Sequence, residues 1–163
     1  MLRKSFVIIM CAVLAGCAAT TVHKLSNPDF SKYHIPRKIV IAPVNDSPQT
    51  AGRAAELADG FAAASFAVVN TALVECQLAA RGLSLKSIVN NGDFGALRNA
   101  AGIDGVLLVR EFYGTELHFV ETGGGTDIAS GCWRTGYINI INDVVDQIRK
   151  RRPSPRLCPV KME

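Results

Sequence analysis

Residues 38–44 read KIVIAPV and residues 105–113 read GVLLVREFY. The first is a short apolar run with β-branched residues and reads as a buried strand, and the second, apolar first and alternating later, also reads as a strand. The first stops at Pro43, and Asn45-Asp46-Ser47-Pro48 follows as a loop with helix-starting chemistry. What lies between the two runs decides the fold class. From Thr50 to Arg81 the chain is rich in Ala, Leu and Glu, and Leu57, Phe61, Ala64, Val68, Ala72 and Cys76 recur at three- and four-residue steps. That spacing marks one apolar helical face and predicts a long amphipathic helix over 50–81, closed by Gly82. Gly60 is a weak point within it, worth up to about 1 kcal/mol against helix.

Residues 83–89 (LSLKSIV) read as a second strand, Asn90-Asn91-Gly92 as a turn and residues 93–101 (DFGALRNAA) as a short helix before Gly102. After the 105–113 strand, residues 116–121 (ELHFVE) alternate as a fourth strand, and Gly123-Gly124-Gly125 breaks the chain. Residues 127–132 and 136–141 read as continuing the sheet, and 142–152 as a terminal helix stopped by Pro153. The expectation is therefore an α/β domain over 38–152: a mixed sheet with flanking helices, β-α-β-α-β, then hairpins and a C-terminal helix. Right-handed crossovers would place the 38–44 and 105–113 strands parallel.

Outside that domain the chain changes character. Residues 1–16 open with Arg3 and Lys4 and continue as a nine-residue apolar stretch, Phe6 to Leu14, the pattern of a secretory signal peptide. The stretch is shorter than a spanning helix needs. Residues 17–37 are polar, hold two prolines and read as a tether. Residues 153–163 form a proline-rich basic tail. The 163-residue chain has a formal net charge of +4, but the charge is divided. Residues 17–148 hold ten basic and 13 acidic groups, whereas residues 149–163 hold six basic and one acidic. Arg149, Lys150, Arg151 and Arg152 are the densest part of that basic end and read either as a solvated helix end or as a contact for an acidic partner or anionic headgroups.

Leu14-Ala15-Gly16-Cys17 resembles the lipobox of bacterial lipoproteins, in which an apolar residue and two small residues precede a cysteine. The resemblance implies cleavage before Cys17, diacylglyceryl transfer to its thiol and acylation of the new N-terminus. It also implies a mature chain of residues 17–163. Ala18 after the cysteine implies sorting to the outer membrane, periplasmic face, with inner-membrane retention as the alternative. The stretches KIVIAPV and GIDGVLLV (102–109) resemble the opening strand and a later strand of a group of periplasmic lipoprotein domains. That group comprises the curli secretion lipoprotein, the penicillin-binding-protein activator lipoprotein and the N-terminal domain of TolB. The group's glutamate-arginine segment after the second strand is missing here, as is a long apolar insert of the kind a pore-former needs.

Three cysteines remain in the mature chain besides Cys17. A Cys132–Cys158 disulfide with Cys76 buried as a small hydrophobe is the expected arrangement for an oxidising compartment. No CxxC or HxxxH spacing points to a metal, and no cofactor is expected. The glycine run lacks the lysine of a phosphate-binding P-loop and reads as a mobile hairpin loop. Ser65 is in no nucleophile elbow. Trp133 and Tyr137 read as core packing.

Three functions compete. The leading expectation is a non-enzymatic assembly or accessory subunit of an envelope complex, held by its lipid anchor, with an envelope protein or another copy of itself as partner. Nucleic acid is not expected, because the export signal places the domain outside the cytoplasm. A small-ligand or polymer-binding lipoprotein, with a pocket near the glycine loop, is the alternative. An enzyme is the third, and it would need Glu116, Asp127 and His118 within hydrogen-bond reach, although His118 is expected on an exposed strand face.

Overall fold

The computed structural model describes residues 34–111, 113–134 and 136–150. Strand β1, Lys38–Pro43, is buried along residues 39–42, as its unbroken apolar run requires. Ile39 and Ile41 face one side of the sheet, and Val40 and Ala42 the other. Helix α1 (Pro48–Ala63) starts at an N-cap, Ser47, whose hydroxyl accepts the Thr50 amide at 3.1 Å.

The helix expected to reach Arg81 stops at Ala63. Ser65 adopts φ 73°, its amide donates to the Ala62 carbonyl, and the Phe66 amide donates to the Phe61 carbonyl at 3.1 Å. These are the paired bonds of a Schellman end, and the Phe61 and Phe66 rings meet edge to face at 5.4 Å across it. The chain then forms β2 (Ala67–Val69), and Asn70 caps helix α2 (Thr71–Ala79). The periodicity over 50–81 therefore joined two helices across a partly exposed edge strand. Val68-Val69 found partners on β1, and ladder pairing outweighed local helix preference.

The stretch 83–89, expected as a strand, lies mainly in helix α3 (Leu85–Asn91). Ser84 caps it through Ser87, Leu85 and Ile88 are buried one turn apart, and Gly92 closes it at φ 71°. Helix α4 (Phe94–Ala101) agrees with the expected short helix. Strands β3 (Gly105–Glu111), β4 (Thr115–Glu121) and β5 (Thr126–Trp133) follow. Residues 136–141 do not extend the sheet. They open helix α5 (Tyr137–Lys150), which starts five residues earlier than expected. Its buried residues Ile140, Ile141, Val144 and Ile148 lie at helical spacing.

The five strands run in the order β2-β1-β3-β4-β5. β1 is parallel to β2 and, as expected, to β3, while β4 and β5 return antiparallel. One face packs Leu57 and Phe61 of α1 and Ile140, Val144 and Ile148 of α5 against Ile39, Ile41, Leu107, Val109, Leu117 and Phe119. The other packs α2, α3 and α4 against Val40, Ala42, Val106, Leu108 and Val120. The result is the α/β architecture expected, a mixed sheet between two helical layers.

Gly60, weak by helix propensity, lies where α1 meets Ile141 of α5, and a Cβ there would strike that side chain. Gly105 is tighter. A Cβ on it would lie 2.7 Å from both the Phe119 ring and Pro36. Gly105→Val should therefore cost about 1–3 kcal/mol by overpacking. A denaturation midpoint equal to that of the unaltered protein would contradict this packing.

Candidate functional site

Toward β4 and β5 the second sheet face turns polar. Strand alternation puts Arg110, Glu116 and His118 on that face, with Leu108 opposite His118 and Arg110 opposite Glu116. On β5 the register shifts between Phe119 and Val120, leaving Ile128 as an extra residue. This bulge turns Ile128 and Ala129 together into the first core and leaves Asp127 beside His118.

The four side chains form a chain of charges. Arg110 Nε donates to Glu116 Oε2 at 2.6 Å, and its second guanidinium nitrogen contacts the same oxygen. Glu116 Oε1 is 3.5 Å from His118 Nε2, an ion pair too long for a well-formed hydrogen bond. His118 Nδ1 bonds Asp127 Oδ2 at 2.9 Å. Asp127 is 4% exposed. Burial disfavours a charged imidazole, but the bond to Asp127 and the neighbouring Glu116 outweigh it and raise His118 from an ordinary 6.5 to about 9. Glu116 is held below the usual carboxylate range by His118 and, against the opposing effect of burial, by Arg110. At neutral pH the quartet carries two positive and two negative charges and cancels internally.

His118 is thus not on an exposed face as expected, and it meets the two carboxylates that an enzyme reading requires. Sequence spacing alone could not reveal this, because the bulge that turns Asp127 toward His118 is a tertiary feature. Ser130 is the cross-strand neighbour of His118 and Cys132 that of Glu116. Among the described residues no hydrogen bond joins either to His118.

The glycine run forms the hairpin turn expected, joining β4 to β5. The amides of Gly123 and Gly124 donate to the Glu121 carboxylate at 2.6 and 2.7 Å. Those amides, which otherwise suit an anion, are satisfied by the chain's own carboxylate. Arg98 Nη1 stands 3.8 Å from Glu121 on the outer side.

Next to this turn is a cleft of about 530 Å³ lined by His34, Ile35, Pro36, Arg37, Arg98, Asp104 and Glu121. A smaller groove of about 200 Å³ continues from it, with Ala64, Phe66, Val145, Ile148 and Arg149 along its walls and Ile35, Pro36 and Arg37 common to both. Both clefts lie at the end of the sheet where β1 and β3 begin and β4 ends.

Cys132 is part-buried on β5, whereas Cys76 is exposed on α2, not buried as expected. Its helix turns Val74 and Leu78 inward instead. Trp133 is 1% exposed, packs its indole over Gly131 and donates from Nε1 to Asp143 at 2.8 Å. Tyr137 is 37% exposed, so only the tryptophan belongs to the core. Arg149 and Lys150 end α5, with Lys150 paired to Asp146. Leu14, Ala15, Gly16, Cys17, Arg151, Arg152 and Cys158 lie outside the described residues. Among those described, no helix is long and apolar enough to cross a membrane, and no three His, Cys, Asp or Glu side chains are placed to hold a metal.

These features define an α/β domain with a neutralised polar sheet face and a basic end. Its coordinates are similar to the crystal structure of lipoprotein GNA1162 from Neisseria meningitidis, at 24% identity and a TM-score of 0.49, over 70% of this chain and 97% of that one. No family model and no curated protein matches the chain.

Proposed function

We propose that this protein is a lipid-anchored lipoprotein of the outer membrane whose periplasmic α/β domain serves, without catalysis of its own, as an assembly or accessory subunit of a cell-envelope complex. The observation that carries the proposal is Leu14-Ala15-Gly16-Cys17 directly after a short apolar run with a basic start. A thioether-linked diacylglyceryl group plus an N-acyl chain buries three chains in the bilayer. At about 0.8 kcal/mol per buried methylene, this makes anchoring effectively permanent. The folded domain is then held near the membrane and acts by position, presenting its surfaces to partners or to other copies.

The polar cluster supports a structural part in this reading. His118, raised by its bond to Asp127 and by Glu116, is a poor general base at neutral pH, and its 2.9 Å bond is made to a carboxylate of the domain itself. The glycine turn supports it too, because Glu121 takes the amides that a bound anion would need.

The test is cross-linking in intact cells followed by purification of the full chain from membranes. Stable envelope partners, or a homo-oligomer, are the expected result. Recovery of the uncross-linked monomer alone, at native expression, would overturn the assembly role.

A further inference from the structure

Arg37, Arg98 and Arg149 come from the start of β1, from α4 and from the end of α5, yet they line one continuous pair of clefts. Nothing in their sequence spacing relates them. Arg37 and Arg149 are exposed and make no ion pair among the described residues. Arg98 is 56% exposed and, among the described residues, is held only by the 3.8 Å approach to Glu121. The two carboxylates in the cleft are engaged from within: Glu121 accepts the glycine amides, and Asp104 accepts the Lys38 amide at 3.2 Å. Lys38 itself is turned inward onto the Ala101 carbonyl at 3.1 Å. The cationic groups of the cleft left facing outward are therefore the arginines.

The same end is where the described chain enters and leaves. Pro36 is buried against Gly105 near the start of the described residues, and α5 delivers Arg149 to the same groove. Sixteen residues separate Cys17 from His34, a contour of at most about 55 Å. The arginines thus surround the point from which the tether starts, and the basic residues Arg151 and Arg152 follow directly. Ile35, 45% exposed, lies between the arginines.

We propose that this end of the domain is a lipid-facing surface on which Arg37, Arg98 and Arg149 bind the phosphates of anionic phospholipid headgroups. The proposal rests on the lipid-anchor reading for its orientation and adds a second, electrostatic contact to it. Charge complementarity selects the occupant, since guanidinium groups pair with phosphate in a fixed geometry. Tethering makes weak contacts sufficient, because the anchor keeps the local headgroup concentration high. The domain then lies with its basic end on the bilayer, leaving the opposite end, with the exposed Tyr113 and Val44, turned toward the periplasm.

The test uses the full chain purified from membranes and reconstituted in vesicles of phosphatidylcholine, with or without phosphatidylglycerol. Phenylglyoxal modification of each arginine is followed by peptide mass spectrometry, with exposed Arg134, at the opposite end of the sheet, as reference. Phosphatidylglycerol should slow modification of Arg37, Arg98 and Arg149 by about fivefold each relative to Arg134. High salt should remove the effect. In an Arg98→Gln/Arg149→Gln variant, Arg37 should react at the same rate in both vesicles.

Equal rates of the three arginines in both vesicles would overturn the proposal. So would protection by inorganic phosphate added to phosphatidylcholine vesicles, which would identify a soluble anion as the ligand. Loss of cross-linked protein partners from the double variant with lipid protection intact would assign the arginines to a protein contact instead. Flotation with phosphatidylcholine at high salt reports the anchor separately. Protein that floats but is not protected refutes the face alone, and protein that is protected but does not float refutes the anchor alone.

Discussion

Cys17→Ala should abolish incorporation of labelled palmitate and release the protein from membranes at high salt. The reason is stoichiometric. If all three acyl chains depend on one residue, removing the thiol leaves no acceptor for the diacylglyceryl group, and the cleavage that exposes the N-terminus does not follow. The remaining apolar stretch, Phe6 to Leu14, has nine residues, less than half of the roughly 20 a spanning helix requires. The basic end alone cannot replace the anchor, because its attraction to headgroups is screened over about 3 Å at 1 M salt. A variant that still takes up palmitate, or that stays bound at high salt, would refute the lipobox reading. Gly16→Trp should act in the same direction, since a large side chain beside the cysteine removes the small-residue character of the motif while sparing the thiol.

Raising the pH through the range from about 6.5 to about 9 should cost the folded domain about 3 kcal/mol through His118 alone. The folded group binds its proton more tightly than the unfolded one. Its contribution is therefore complete below pH 6.5 and is lost as pH rises toward 9. His118→Gln removes this titration and reports the background of all other groups. Asp127→Asn should flatten the same window and lower stability at neutral pH by about 3 kcal/mol, because it leaves a buried imidazolium with its nearer partner gone. Such losses are large against a total domain stability of about 5–15 kcal/mol. Denaturant unfolding across the window measures both effects. Unchanged stability of the unaltered protein, relative to His118→Gln, would mean that His118 is neutral when folded. Acidification should act through Glu116 in the opposite sense. Its lowered value favours the ionised form, and that stability is lost as pH falls.

The strands that organise the sheet were legible because their apolar runs leave no other place for them. Residues 39–42 and 105–109 are buried on both faces of the sheet. The hairpin of β4 and β5 announced itself by alternation around a glycine break. Helix α4 was legible from its length and its closing glycine. The segments misread share a different property. Val68-Val69 fits a helix face and a strand equally well, and only the open edge of β1 selects the strand. In residues 83–89 the apolar positions Leu83, Leu85 and Val89 suit an alternating strand while Leu85 and Ile88 suit one helical turn, and the Ser84 cap decides for helix. Around Tyr137 the apolar spacing joins the residues on either side of the expected boundary into one helix.

The candidate sites divide in the same way. A chemical motif such as Leu14-Ala15-Gly16-Cys17 is contiguous, so the sequence by itself supplies the expectation of an anchor, together with the division into an acidic body and a basic end. The amphipathic strands and helices also define the α/β class without any coordinates, because their periods can be buried in few ways. Only the tertiary structure decided which distant charges meet. A one-residue bulge at Ile128 brings Asp127 to His118. Glu121 folds back to fill the glycine turn. The parallel pairing of β1 with β3 and the packing of α5 on the sheet bring Arg37, Arg98 and Arg149, 112 positions apart from first to last, to one end of the sheet. Local sequence encodes which face a residue takes, whereas the register and order of strands set what lies across from it, and electrostatic contacts depend on the second.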